Sequence, residues 1–423
     1  MRVLWIVHDV LPEFAPFVSG DYSLGGSWID PLFHSLDKNE DVELGIVSPV
    51  VDGAYLQQQI GKIQYFSIPI VAGGSTGRMS PNTVENYIKV IDAFVPDIIH
   101  IHGIEKNFGL LTKYINGKLP VVCSIQGVIN AYYDSLKLSA VSFDKLKFKS
   151  IKTLLGIGGG FKAMAAKWKK YCVVEKEIID INQYFIGRTE WDKSQICAIN
   201  PNALYFHGEE LLRADFYSKK WEVKKCERHS IFMSSGAYSI KGLHLMIQAM
   251  SLLVEKYPNL KLYIPLFNHS NSKWKRLIFG NEYNNYISHL INVHQLKANI
   301  IFLPRLSAAS MADRFLKSHV FALPSYVENS PNSLGEAMMV GTPSVVSYCG
   351  GVGSIIDNES ALISPVGDFR MLAFQLDRIF QSDELVTELS RRSHLIADDR
   401  HNVAKTTESY INIYKDIINI NRL

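Results

Sequence analysis

The residues best suited to do chemistry lie in one stretch, Leu323-Pro-Ser-Tyr-Val-Glu328-Asn-Ser-Pro-Asn-Ser-Leu-Gly-Glu336-Ala-Met. An apolar run ending near Leu323 reads as a strand. The next helix is expected to begin at about Asn332, with Ser330 as its N-cap and Pro331 suited to its first position. The first N–H groups of such a helix, those of Asn332 and Ser333 among them, have no partner within it and stand at its positive dipole end, where a diphosphate would bind. Glu328 lies just before this anion site and Glu336 eight positions later. A carboxylate accepts hydrogen bonds from neutral hydroxyls, so the pair fits sugar hydroxyls on either side of a phosphate group. The spacing alone fits an ordinary capped helix with two solvated glutamates equally well.

A second constellation is Ile231-Phe-Met-Ser-Ser-Gly236-Ala-Tyr-Ser-Ile-Lys241-Gly242-Leu. It reads as a strand, a glycine turn containing Gly236, a lysine and a helix. It lacks the Gly-x-x-x-x-Gly-Lys-Ser/Thr spacing of a triphosphate-binding loop. Lys241 still puts a cation beside helix-start N–H groups, where phosphate would bind. The alternative is a solvated surface lysine. A third is Gly25-Gly26-Ser27-Trp28, where adjacent glycines allow close backbone approach. The fingerprint G-x-G-x-x-G is missing directly after the first strand, which weakens a dehydrogenase reading.

The elements that must position these residues alternate. Val3–Val7, Val42–Val47, Ile63–Ile68, Asp97–Ile101, Val121–Ile125 and Tyr184–Ile186 are apolar on both faces, as buried parallel strands are. Pro81–Phe94 and Asn107–Tyr114 have helical spacing. Tyr217–Ser230 is charged and weakly periodic, and reads as a linker. The alternation then restarts, with strands expected at Ile231–Ser234, Leu260–Ile264, Ile300–Leu303, Val320–Leu323, Ser344–Ser347 and Ala361–Ile363. Helices are expected at Leu243–Lys256, Ala309–Lys317, Leu334–Val340, Arg370–Phe380 and Val403–Ile418. The expected fold is α/β: two facing Rossmann-like doubly wound domains, 1–217 and 218–402, with a ligand cleft at the carboxyl ends of their strands. The terminal helix at about 403–423 is expected to pack back on the first domain.

Composition narrows the function classes. The chain has 423 residues, is 47% hydrophobic and 20% charged, and so is ordinary globular sequence. Lys plus Arg number 44 against 41 acidic residues, a net charge of +3, too small to favour general nucleic-acid binding. Five dispersed cysteines without a C-x-x-C pair argue against a disulfide framework or a cysteine zinc site. No run of about 18 apolar residues would span a bilayer, and the opening Met-Arg-Val-Leu-Trp-Ile-Val-His-Asp lacks a cleavage pattern. A cytoplasmic protein is the expectation.

These motifs, in this order, resemble the GT-B glycosyltransferases of the family-4 type, retaining enzymes that use nucleotide-diphosphate sugars such as UDP-sugars. Glu328 and Glu336 match the Glu-x7-Glu signature, Lys241 and Gly242 the Lys-Gly of the donor-phosphate loop, and Gly25 and Gly26 the amino-terminal glycine loop. Pro96-Asp-Ile-Ile-His-Ile-His102-Gly and Ile199-Asn-Pro-Asn202 are similar to landmarks of the first domain. The resemblance covers nearly the whole chain and is strongest over 229–367. It implies that Glu328 contacts the donor sugar, Glu336 binds the ribose hydroxyls, and Lys241 with the amides near Asn332 and Ser333 stabilises the leaving diphosphate. It also implies a metal-independent reaction with no cofactor, a glycan or lipid-linked acceptor, and a place in bacterial surface polysaccharide biosynthesis. A sugar-nucleotide epimerase of the same architecture and a non-catalytic sugar-nucleotide-binding protein are the alternatives.

The chain departs from the family pattern in places. Ala237 follows Gly236 where relatives carry an arginine, so another cation is needed; Arg305 and Arg188, at strand ends, are candidates. Gln126 stands where histidine is frequent, and His102 at the neighbouring strand end could approach the acceptor, although a strand-end histidine is more often structural. Ser354 stands in Gly350-Gly-Val-Gly-Ser where an acidic residue is common. Residues 143–178 hold nine lysines against three acidic residues, interleaved with Phe148, Leu154, Leu155, Phe161, Met164 and Trp168. That stretch fits peripheral contact with an anionic membrane face, and equally a solvated face over the first domain.

Overall fold

The computed structural model describes residues 1–18, 29–71, 73–115, 117, 119–140, 146–156, 160–265, 278 and 280–422. The chain divides into two compact units. One comprises Met1–Asn130, Lys169–Arg213 and His401–Leu423, the other Ala131–Trp168 and Ala214–Arg400.

Among the described residues the first unit has eight strands: β1 (Arg2–Ile6), β2 (Glu43–Val51), β3 (Leu56–Ile60), β4 (Ile63–Ile70), β5 (Ile98–His102), β6 (Val121–Ser124), β7 (Tyr184–Gly187) and β8 (Leu204–His207). Their order is β3-β4-β2-β1-β5-β6-β7-β8. All pairs are parallel except β3 with β4. Strand order reverses at β1 and β5, a topological switch point. β1, β5, β6 and β7 are buried almost throughout, which their β-branched sequences predict. The expected strands miss two edge elements. β3 (Leu-Gln-Gln-Gln-Ile) is largely exposed and polar, and β8 is half-exposed, so neither carries a buried-strand signature.

The helix Pro81–Phe94 starts where the sequence predicts, with Ser80 Oγ accepting from Thr83 N at 3.1 Å. Asn107–Lys113, expected as an α-helix, is a 3-10 helix. The terminal helix Val403–Arg422 buries Tyr410, Ile411, Ile413, Tyr414, Ile417 and Ile418 in the core with Val3 and Trp5 of β1. Tyr414 fixes it by polar contacts as well. Its hydroxyl accepts from Trp5 Nε1 at 3.1 Å and bonds His100 Nδ1 at 2.7 Å.

Among the described residues the second unit has six parallel strands: β9 (Glu227–Phe232), β10 (Lys261–Pro265), β11 (Ile300–Leu303), β12 (Ser318–Leu323), β13 (Ser344–Ser347) and β14 (Leu362–Ser364). Their order is β11-β10-β9-β12-β13-β14. Here the switch point falls between β9 and β12. The expected linker is instead an ordered part of this unit. Phe216 is fully buried with its ring 6.1 Å from that of Phe315. Trp221 N donates to Val340 O at 2.8 Å and Trp221 Nε1 to Ser318 O at 2.7 Å. The lysines that make the segment look like a tether are on its outside, while Trp221 within it and Phe216 just before it hold it down.

Residues 131–168 group with the second unit rather than with the range 1–217 expected for the first domain. Ser139 Oγ meets Ser239 Oγ at 2.7 Å, Asn285 Nδ2 donates to Phe148 O at 2.9 Å, and Glu282 Oε2 accepts from Phe161 N at 3.2 Å. The basic stretch is thus shared: its part up to Trp168 belongs to the second unit and 169–178 to the first, while 143–145 and 157–159 lie outside the described residues. Among the described residues no helix is long and apolar enough to cross a membrane.

Candidate functional site

The switch point of the second sheet gathers the first two constellations. After β12 the chain runs through Pro324–Pro331 into the helix Asn332–Val340; after β9 it runs through Gly236 to a 3-10 turn, Ser239–Lys241, and the helix Leu243–Leu253. Tyr326 N donates to Ile240 O at 2.8 Å, tying the two loops together. Gly242 makes the approach possible. Its φ is +72°, and a Cβ there would lie 2.0 Å from Pro324 O, so any side chain would force the loops apart. Gly236 is a packing position, where a Cβ would fall 2.4 Å from Ile264 Cδ1.

The result is a partly buried ion pair. Lys241 Nζ donates to Glu328 Oε1 at 2.6 Å, and Ser325 Oγ donates to the same oxygen at 2.7 Å. Glu328 is only 5% exposed, yet Lys241 remains partly open to solvent. The turn Gly350–Ser354 closes on the backbone of this glutamate, with Gly351 N donating to Glu328 O at 2.9 Å. Beside the pair, burial pushes the Cys349 thiol far above its usual range, and the Glu328 carboxylate adds to the shift. All five cysteines are free thiols.

The helix Asn332–Val340 begins where expected but is capped differently. Its N-cap is Pro331, in extended conformation, with no side chain closing the amino end. Ser330, expected as the cap, sits one residue too early, because Pro331 keeps the extended φ and ψ that the last non-helical residue needs. The ladder starts with Leu334 N and Gly335 N donating to Pro331 O at 2.9 and 3.3 Å. The N–H groups of Asn332 and Ser333 precede that ladder and stand at the positive end of the helix. Glu336 lies on the same helix and is 4% exposed.

Sequence reasoning misses Arg400. Its Nη1 donates to Ser354 O at 3.2 Å and its Nη2 reaches Ser330 Oγ at 3.5 Å. A guanidinium therefore stands against both loops that flank the helix start. It lies 70 positions beyond Ser330 at the end of the helix Asp383–Arg400, so no local motif announces it. Arg305, proposed for that office, is exposed after the edge strand β11, with β10 and β9 between it and β12.

The remaining candidates fall in the first unit. Gln126 and Arg188 do come together, around a residue not singled out, Glu210. Arg188 Nη1 pairs with Glu210 Oε2 at 2.5 Å, Gln126 Nε2 donates to Glu210 Oε1 at 2.7 Å, and Arg188 Nη2 donates to Gln126 Oε1 at 3.2 Å. His102 does not open at the strand end as expected. It is 2% exposed, its ring centroid 3.9 Å from His100 and 4.2 Å from Trp5, and burial holds its pKa well below the usual histidine range. Both faces of β5 are covered, so its last position is buried with the rest. Gly25 and Gly26 lie outside the described residues. Among the described residues one group has metal-ligand spacing, Glu13, Asp30 and His34, a partly exposed ion-pair cluster with His34 Nε2 3.1 Å from Glu13 Oε1.

The family described as Glycosyl transferases group 1 matches residues 215–395, the part of the chain that carries Lys241, Glu328 and Glu336. An uncharacterised glycosyltransferase of Haemophilus influenzae is 23% identical over 193 residues, 45% of this chain and 50% of that protein. The chain spans about half the length of the relatives it matches in sequence. In structure it is similar to sucrose-phosphate synthase from Thermosynechococcus elongatus, with TM-score 0.68 and 13% identity over 99% of both chains. It is also similar to Anabaena HepE in complex with UDP, with TM-score 0.65 and 12% identity over 98% of this chain and 100% of that one. The fold is GT-B: two α/β units, each on a mainly parallel sheet.

Proposed function

We propose that this protein is a retaining glycosyltransferase that moves a sugar from a nucleotide-diphosphate sugar to a glycan or lipid-linked acceptor in surface polysaccharide biosynthesis. The observation that carries the reading is the Lys241–Glu328 pair at the amino end of the helix Asn332–Val340, within the region that matches Glycosyl transferases group 1. The HepE complexes with UDP and with UDP-glucose support a uridine nucleotide as donor.

Each group has a task in this reading. The N–H groups of Asn332 and Ser333 and the Lys241 ammonium receive the diphosphate, and Arg400 supplies the cation that Ala237 does not. Glu336 accepts hydrogen bonds from ribose hydroxyls. Glu328 accepts from the hydroxyls of the donor sugar. As the bond from the anomeric carbon to the phosphate oxygen breaks, negative charge grows on the leaving diphosphate. Donors already aimed at it lower the barrier without reorganising. The acceptor oxygen bonds to the anomeric carbon from the face the phosphate leaves, and its proton passes to the departing phosphate oxygen, so configuration is retained. The reaction proceeds with these protein groups and no metal.

The test is titration calorimetry with UDP, followed by release of UDP from UDP-glucose, UDP-galactose and UDP-N-acetylglucosamine in the presence of glycan acceptors, with anomeric configuration read by NMR. Binding and turnover with retained configuration support the reading. Absence of UDP binding, or a product of inverted configuration, rejects it. Conversion of one nucleotide sugar to another without UDP release would make the protein an epimerase.

A further inference from the structure

The switch point of the first sheet holds a second arrangement that the donor chemistry does not use. His8 follows β1, and Gly103, Ile104 and Glu105 follow β5, so both polar residues lie at the carboxyl ends of the strands where the order reverses. Open α/β sheets bind ligands at this position. Gly103 lets them converge, with φ at +99°. A Cβ on it would fall 2.5 Å from Glu105 Oε2 and 2.9 Å from His8 Nε2, so both atoms crowd the same point above its Cα. Each is shielded from solvent and, among the described residues, neither has a hydrogen-bond partner. An unmatched polar atom of this kind costs about 1–3 kcal/mol, and two at one point are rare in a structure with no use for them.

We propose that His8 and Glu105 form a hydroxyl-recognition site, in which one hydroxyl of a neutral, hydroxyl-rich acceptor bridges the imidazole nitrogen and the carboxyl oxygen. This deepens the glycosyltransferase reading and rests on it. The surroundings select the ligand chemistry. Burial lowers the His8 pKa to about 4, helped by the Lys106 charge, so its imidazole is neutral and can accept a hydrogen bond. Burial pushes Glu105 up to about 7, the Glu175 carboxylate adds to the rise, and the Gly127 N–H and Arg188 work against it. The charges that act on the pair come in both signs, Glu175 against Lys106 and Arg188, so no net charge selects an ionic ligand. No third ligand atom joins the pair among the described residues, which disfavours a metal ion. A hydroxyl both donates and accepts, and meets both atoms at once.

The experiment uses the full chain with 13C-labelled histidine, the His8 Cε1–H signal being assigned by its loss in His8→Gln. Methyl glucoside, methyl galactoside and methyl N-acetylglucosaminide are titrated in turn. At least one is expected to move the His8 signal. Glu105→Met, which keeps the volume and removes the oxygens, should weaken that binding about tenfold, the loss of one hydrogen bond, and Glu105→Gln should restore most of it. The other histidine signals report that each variant is folded. A His8 signal unmoved by every glycoside, or equal affinity in folded Glu105→Met, overturns the proposal. UDP titrated into the wild type reports separately on the donor reading. If UDP fails to bind, the transferase reading falls; if UDP binds and the glycosides leave His8 unmoved, only the present inference falls.

Discussion

Two glutamates eight positions apart stand in different surroundings. Glu328 is held by Lys241 and Ser325, whereas Glu336 is carried by a buried helix. Glu336→Ala is therefore expected to weaken UDP binding ten- to a hundred-fold, the loss of one charged hydrogen bond of about 1.5–3 kcal/mol. Glu328→Ala should chiefly lower turnover. Calorimetry and steady-state kinetics on both variants check the division, and unchanged values in both would remove the site assignment. Gly242→Ala should act through geometry. A left-handed φ and a collision with Pro324 O together are expected to lower stability by more than about 1 kcal/mol and to weaken UDP binding, because Lys241 must move with the turn. Urea unfolding and UDP titration of the variant measure both. The grouping of Glu328 and Lys241 beside the helix start is legible from residue type and spacing. Arg400 was not, since nothing within 70 positions of Ser330 marks it, and His102 misled because a strand-end histidine looks the same in sequence whether it faces solvent or core.

At the scale of elements, legibility followed burial. Strands apolar on both faces, such as β5 and β12, were plain, while β3 pairs through its backbone with polar, exposed side chains and left no pattern to read. Charge hid the packing of Tyr217–Ser230 in the same way, since four lysines outweigh one tryptophan in any average over the segment. The terminal helix was legible by its period, and its partners are long-range. Tyr414 serves two of them, so Tyr414→Phe should leave Trp5 Nε1 and His100 Nδ1 competing for nothing and cost about 1–3 kcal/mol. Denaturant unfolding monitored by the fluorescence of the tryptophans would register it. A variant as stable as wild type would show that the hydroxyl is dispensable to the core.

For the whole molecule, buried titratable groups pull stability in opposite directions with pH. Burial lowers His8, His244 and His319 to about 4 and His100 to about 3. An unfolded histidine takes up its proton near pH 6.5. Below that pH the unfolded chain binds protons that the folded one refuses, so this contribution is complete above about 6.5 and is lost as pH falls toward 4. Glu105 behaves in the reverse sense. Held at about 7, it retains a proton that an unfolded carboxyl releases near 4.5, so stability declines as pH rises through that window. The urea midpoint of the wild type should fall steeply on acidification below 6.5. Glu105→Gln should raise the midpoint above pH 7 and leave the acid limb in place. A flat acid limb would show that these histidines are solvated.

The interleaving of the units has a practical consequence for exchange experiments. The first unit takes its last piece from residues 401–422, after the whole of the stretch 214–400 has been made, and cedes 131–168 to the other unit. A ribosome therefore finishes the amino-terminal sheet's helical cover last, and a gene cut once near codon 213 would yield two fragments that each lack material. Hybrids with a foreign donor half should be joined at four seams, at 130/131, 168/169, 213/214 and 400/401, so that each half keeps the pieces that fill its own interior.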